Sequence, residues 1–212
     1  MTLPLRDAPG RLLAFDARLD RAEAAARMPQ GYSVWPERHW GCSADPDVWP
    51  SVFAREGETD PDRIRLPPLA SRMWEAFGLF DDIDELSAHL RPVRGGGEVI
   101  ALALDAESAG RAPADVMLGA LEAGPPARGA GDMPARSLGY DVTDPYLTSM
   151  ILNAGPTPAL IEKAPARSAA GLIEDAAAAR AYLPVLEAAD PSHVPLLVVE
   201  VYSLGAVPVL GG

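Results

Sequence analysis

The sequence predicts an α+β fold: a single domain with a small mixed or antiparallel sheet packed by several helices, and a long Trp/Pro-rich loop region. Three observations predict it. Short apolar runs suited to buried strands, at residues 98–104 and 196–202, are interspersed with segments of helical period, without a regular βαβ rhythm. Residues 30–67 crowd tryptophan and proline together. The length of 212 residues and the 48% hydrophobic content suit one core with surface excursions, so residues 1–212 read as one globular domain.

Taken in order, Leu12, Phe15, Leu19, Ala22 and Ala26 recur at spacings of three and four, which predicts a helix within residues 11–28. Leu13, Phe15, Ala17 and Leu19 also alternate, so a strand competes for the first half; the helical reading is preferred, above all from Asp20 onward. Residues 30–67 hold Trp35, Trp40 and Trp49 among six closely spaced prolines that run on to Pro68. Proline removes ladder donors and breaks helices, so this stretch reads as an irregular excursion pinned by aromatics. Pro68 is a good first helical residue, and Leu69, Met73, Phe77 and Phe80 form a stripe that Gly78 ends or bends. Asp82 reads as an N-cap with Glu85 three residues on, and Ile83, Leu86 and Leu90 share a face.

Residues 98–104 read as a buried strand and residues 113–123 as a helix stopped by Gly124. Glycine, proline and alanine dominate residues 124–134, which predicts a flexible loop. A short strand is expected at 138–142, followed by a helix that Asp144 caps and Pro145 opens, running to about Asn153. Leu172, Ala176, Ala179, Leu183 and Leu186 line a further helix, with Asp175 near its positive end and Pro184 kinking or restarting it. Pro195 precedes the strongest strand of the chain by β-branched content, residues 196–202.

Charge narrows the function classes. Thirty acidic residues against eighteen basic ones give a net charge of −12. Phosphate backbones need compensating Lys and Arg, so nucleic acid is a poor partner, and an anionic membrane surface repels the chain for the same reason. No apolar run approaches the roughly 20 residues that span a bilayer, and residues 1–10 lack the pattern of a secretory signal. Cys42 is the sole cysteine, which excludes an internal disulfide and points to a reducing, cytoplasmic setting. A basic protein partner, by contrast, is steered toward such a chain.

Motifs for specific chemistry are few. The Gly95-Gly96-Gly97 run precedes a strand, the reverse of the order a phosphate-binding loop needs, and reads as a turn. His39, Cys42 and Asp45 lack the four ligands of a structural zinc site, and no metal or cofactor is implied. Asp105 and Glu107 read as a strand exit. Glu200 interrupts an apolar strand and, if that strand is central, requires a partner. The most distinctive stretch spans residues 137–155, where Tyr146, Ser149 and Asn153 fall on one face of the expected helix, with Tyr140, Asp141 and Asp144 nearby. This patch, with Trp35 and Trp40 of the excursion, supplies the candidate binding residues; none is assigned a catalytic role.

Two functions follow as expectations. The first is a small acidic cytosolic binding protein that neutralises a basic protein partner, in the manner of a bacterial immunity protein and its toxin. The second is an enzyme or small-molecule-binding domain built on the Tyr/Asp/Asn patch, with homo-oligomerisation open in either case.

Overall fold

A computed structural model describes residues 2–19, 53–54, 64–65, 79–90, 97–114, 117–129, 131–147, 149–153 and 163–206. Nearly all of the Trp/Pro-rich excursion, with Trp35 and Trp40, lies outside them, as do the His39–Cys42–Asp45 group and the expected helix from Pro68 as far as Gly78, while Phe80 of its stripe forms a bridge with Phe15. Within the excursion, Phe53–Ala54 (β3) and Ile64–Arg65 (β4) form a short parallel pair.

The principal sheet has five strands: Thr2–Pro4 (β1), Arg11–Leu19 (β2), Gly97–Leu104 (β5), Pro134–Thr143 (β6) and Leu197–Ala206 (β7). Their order is β1-β6-β7-β5-β2, with every neighbouring pair antiparallel. The last strand in sequence is therefore central. Its first eight residues are all buried, which explains why its apolar run is almost unbroken: a strand covered on both faces has no solvent side to mark. β5 and β6 flank it and run parallel to one another, so residues 105–133 must carry the chain across, and the helix Met117–Ala123 lies on that path.

Strand alternation divides the core between the two faces of the sheet. Ile100, Leu102 and Leu104 join Val199 and Val201 in the larger apolar cluster, which also takes in Leu118, Met150 and the inward side of the helix Ala176–Ala189. Val99, Ala101 and Ala103 join Tyr202 and Leu204 on the other face, packed with Phe15, Phe80, Ile83 and Leu86. Helices on a wholly antiparallel sheet make this an α+β arrangement.

In chain order the helices are Ile83–Leu90 (α1), Met117–Ala123 (α2), Met150–Asn153 (α3) and Ala176–Ala189 (α4). Asp82 Oδ1 accepts from the backbone N–H of Asp84 at 2.9 Å as α1 begins, and Asp175 caps α4 by accepting from Ala178 N at 2.9 Å. α4 runs unbroken through Pro184, so of the expected kink or restart, the restart does not occur. Pro184 is exposed, and the carbonyl it leaves unbonded one turn earlier can be hydrated there. Among the described residues no helix is long and apolar enough to cross a membrane.

Two expected elements are corrected. Residues 11–19 form a strand rather than the start of a helix, and β2 pairs along β5 from Arg11↔Leu104 to Leu19↔Gly97. Over nine residues the spacings 12, 15, 19 and 13, 15, 17, 19 fit both periods. Pairing with a buried strand decides the matter, and a bulge between Leu12 and Ala14 sends Leu13 and Ala14 into one cluster. The helix expected from Pro145 is the second correction. It is confined to Met150–Asn153, because Leu147 adopts φ 61°, a left-handed conformation that ends any helical path from Pro145.

Candidate functional site

The candidate residues of the 137–155 stretch divide between the two sides of β6. Tyr140 is the register partner of Glu200 on β7, so the two side chains share a face. Ala103 of β5 is the partner of Glu200 on its other side, and Tyr202 lies two residues further along the same face. A carboxylate only 6% exposed thus stands on the central strand between two phenols. Burial, then the neighbouring Glu200, pushes the Tyr140 hydroxyl up to about 12, with Asp105 and Asp175 adding to the effect. Burial is also the main cause that raises Tyr202, followed by Glu200. The Tyr202 hydroxyl is enclosed and makes no full hydrogen bond among the described residues, so Glu200 faces it in a looser geometry. Both phenols are thereby kept protonated and ready to donate.

Asp141 points to the opposite face, beside Val199 of the larger cluster. Its Oδ1 accepts from Ser149 Oγ at 2.9 Å, and both residues are fully buried. Ser149 is brought there by a bridge between its backbone and that of Thr143, whose own hydroxyl is buried without a hydrogen-bond partner among the described residues. The N-terminal half of this strand is bent by Gly139, at φ 126°. A Cβ there would lie 2.6 Å from the carbonyl oxygen of Ile173, so glycine permits the 172–173 segment to pair against β6 at Tyr140.

The third group lies at the rim, where β6 ends and β7 begins. Asp144, 4% exposed, uses both carboxylate oxygens: Oδ1 accepts from the backbone N–H of Tyr146 at 2.8 Å, and Oδ2 lies 2.9 Å from His193 Nδ1. His193 Nε2 is 3.7 Å from Asp190 Oδ2. Asp190 in turn opens the 3-10 turn Pro191–His193 by accepting from Ser192 Oγ and Ser192 N, and the Ser192 hydroxyl holds its carboxyl below the ordinary range. Asp144 is therefore an anchor between two chain segments, not the cap of a long helix.

Of the candidate residues, Asp141 and Ser149 meet directly, Asp144 and Tyr146 meet through the turn, and Tyr140 meets Glu200 instead. Tyr146 is 60% exposed and does not share a helical face with Ser149, which is buried. Asn153 ends α3. Asp105 and Glu107 both engage Arg180, at 2.8 Å and 3.3 Å, which accounts for them as an ion-paired strand exit. Among the described residues no three His, Cys, Asp or Glu side chains converge to hold a metal ion.

His193, Tyr202 and Leu147 were not singled out by the sequence. Tyr202 carries a signal, since it stands two residues from Glu200 within one strand. His193 carries none, because its partner Asp144 is 49 residues away. No protein-family model matches the chain, and neither does any curated protein or solved structure.

Proposed function

We propose that this chain is a binding protein for a basic protein partner, acting in the cytosol and masking that partner as an immunity protein masks a toxin. One observation carries the reading: the arginines of the described surface are largely spent within the molecule. Arg6 meets Asp132, Arg111 meets Glu187, Arg128 meets Asp82, Arg136 meets Glu98, and Arg180 meets Asp105 and Glu107. Arg11 and Arg167 donate to backbone carbonyls. The chain as a whole keeps its net charge of −12, which accelerates encounter with a cationic surface, an attraction that weakens with salt. Tagged full-length protein should retain a basic partner from its own cells at low salt and release it as ionic strength rises. Recovery of no basic protein at low salt overturns the reading.

A small-molecule site on the Glu200 face is the second reading. A buried carboxylate between two protonated phenols, with Ala101 and Ala103 alongside, supports it, because this grouping can both accept and donate hydrogen bonds. Glu200→Gln should abolish any ligand-induced thermal shift found by screening small amines and hydroxylated compounds. An unchanged shift places the ligand elsewhere.

A further inference from the structure

We infer that Glu200, with the hydroxyls of Tyr140 and Tyr202, forms a binding site for the ammonium group of a small primary amine, an inference that deepens the second reading above and rests on it. Strand register puts the three side chains on one face of the sheet. Tyr140 of β6 and Ala103 of β5 are the partners of Glu200 on either side, and Tyr202 follows two residues on. Tyr140 is half-buried and Glu200 keeps 6% exposure, so the group meets solvent on its Tyr140 side, whereas the fully buried Tyr202 closes its inner end.

Two independent observations point to a ligand. The first is charge. Glu200 makes no ion pair among the described residues, and Ala103 offers it only a methyl group. Asp105 N donates to Val198 O at 3.0 Å, which extends the β5–β7 ladder by one residue and sets the Asp105 side chain on this same face. The cation that reaches it, Arg180, is taken by Asp105 at 2.8 Å and by Glu107 at 3.3 Å. Beyond burial, which acts most strongly, Glu200, Asp105 and Asp175 all push the Tyr140 hydroxyl upward, so the field there is negative. A buried carboxylate in such a field is stabilised by a cation. The second observation is the Tyr202 hydroxyl. It is enclosed beside Glu200 and makes no full hydrogen bond among the described residues. A buried polar atom without a partner is costly, and a ligand that meets it removes the cost.

The acceptors select the chemistry. A primary ammonium carries three N–H donors, and this group offers a carboxylate and two phenol oxygens. Each phenol can give its own proton to Glu200 and still accept an N–H. A guanidinium spreads five donors in a rigid planar fork, and a quaternary ammonium has none, so neither matches these three acceptors.

The test titrates isotope-labelled full-length protein with methylammonium, methylguanidinium, tetramethylammonium and potassium chlorides at one ionic strength, and with ethylene glycol, while backbone amide shifts are followed. Methylammonium is expected to give the strongest saturable shifts at Tyr140, Glu200 and Tyr202. Tyr202→Phe, which keeps the ring, should weaken that binding about fivefold, the size of one net hydrogen bond, and Glu200→Gln should abolish it. Should Glu200→Gln fail to fold, Tyr202→Phe and Tyr140→Phe decide the matter, and an affinity unchanged in both overturns the inference. Ethylene glycol bound at these amides with methylammonium inert overturns the ammonium and leaves the small-molecule reading standing. An equal response to methylguanidinium, tetramethylammonium or potassium shows a site for charge alone and likewise overturns the inference. No shift at these amides with any probe overturns both.

Discussion

Asp141 and Asp144 stand three residues apart at the end of β6, one turned into the core against a serine and the other joining two chain segments at the sheet rim. Asp141 is fully buried beside Val199 and takes the Ser149 hydroxyl at 2.9 Å. Asp144 is nearly as buried, yet its partners include an imidazole whose side chain is 38% exposed, beside the backbone N–H of Tyr146. The interior carboxylate must be satisfied within the protein, because water cannot replace a lost donor there. At the rim, solvent reaches the far side of the pair and can take over part of its role. Burial of a residue is therefore an incomplete guide to its importance; what matters is whether its partners are buried too.

The widest separation between the two regions should come from deleting the interior acceptor. Asp141→Ala leaves the Ser149 hydroxyl without this acceptor inside an apolar cluster and opens a small void, so we expect a loss of about 2–4 kcal/mol in denaturant unfolding. Asp144→Ala should cost less. Equal losses would break the comparison.

Gly139→Ala comes next and sharpens the interior half. The new Cβ would meet the Ile173 carbonyl at 2.6 Å and the Leu172 side chain at 2.9 Å, on a backbone at φ 126°. Both obstacles act on the pairing of residues 172–173 with β6, so a loss greater than about 1 kcal/mol is expected. Hydrogen exchange should show the Ile173 and Tyr140 amides, which bond one another's carbonyls at 2.8 and 2.7 Å, losing protection together.

A pH effect follows from the opposite face of the same strand. Tyr140 has its hydroxyl raised from 10.0 to about 12 in the folded protein, so between those values the native state holds a proton that the unfolded state has released. Stability must then fall as pH rises from about 10 to 12, with this contribution fully present below that window. Tyr140→Phe should flatten that part of the profile in denaturant unfolding. A slope unchanged by the substitution would separate Tyr140 from Glu200.

Much of the fold was legible because burial writes itself into periodicity. β5 and β7 show as apolar runs, and the start of α1 and α4 shows in Asp82 and Asp175. β2 was not, since the apolar positions within its nine residues satisfy two periods and only the partner strand distinguishes them. The candidate site was legible as a composition and misread as a surface. Asp144 followed by Pro145 is a sound helix-opening signal, but the turn closes on Asp144's own side chain and carries Leu147 into left-handed space. Once that happens, Tyr146 and Ser149 leave the common face that helical spacing gives them. Tyr140 with Glu200 and Asp144 with His193 are separated by 60 and 49 residues, so no local pattern could join them.

The smallest expected effect tests the rim half of the comparison most directly. His193→Ala removes the imidazole from Asp144 and Asp190 at once, yet Asp144 Oδ1 keeps the Tyr146 N–H and Oδ2 becomes open to water. A partly exposed pair of this kind contributes about 1 kcal/mol or less, so the unfolding midpoint should move only slightly and the amide shifts of Tyr146 and Leu147 should persist. Were the loss to match that of Asp141→Ala, the imidazole would be holding the turn in place, and the rim would have to be counted as part of the core. A small loss with an intact turn instead means that Leu147 and its backbone bonds to Asp144 and Leu118 suffice to keep Tyr146 facing outward.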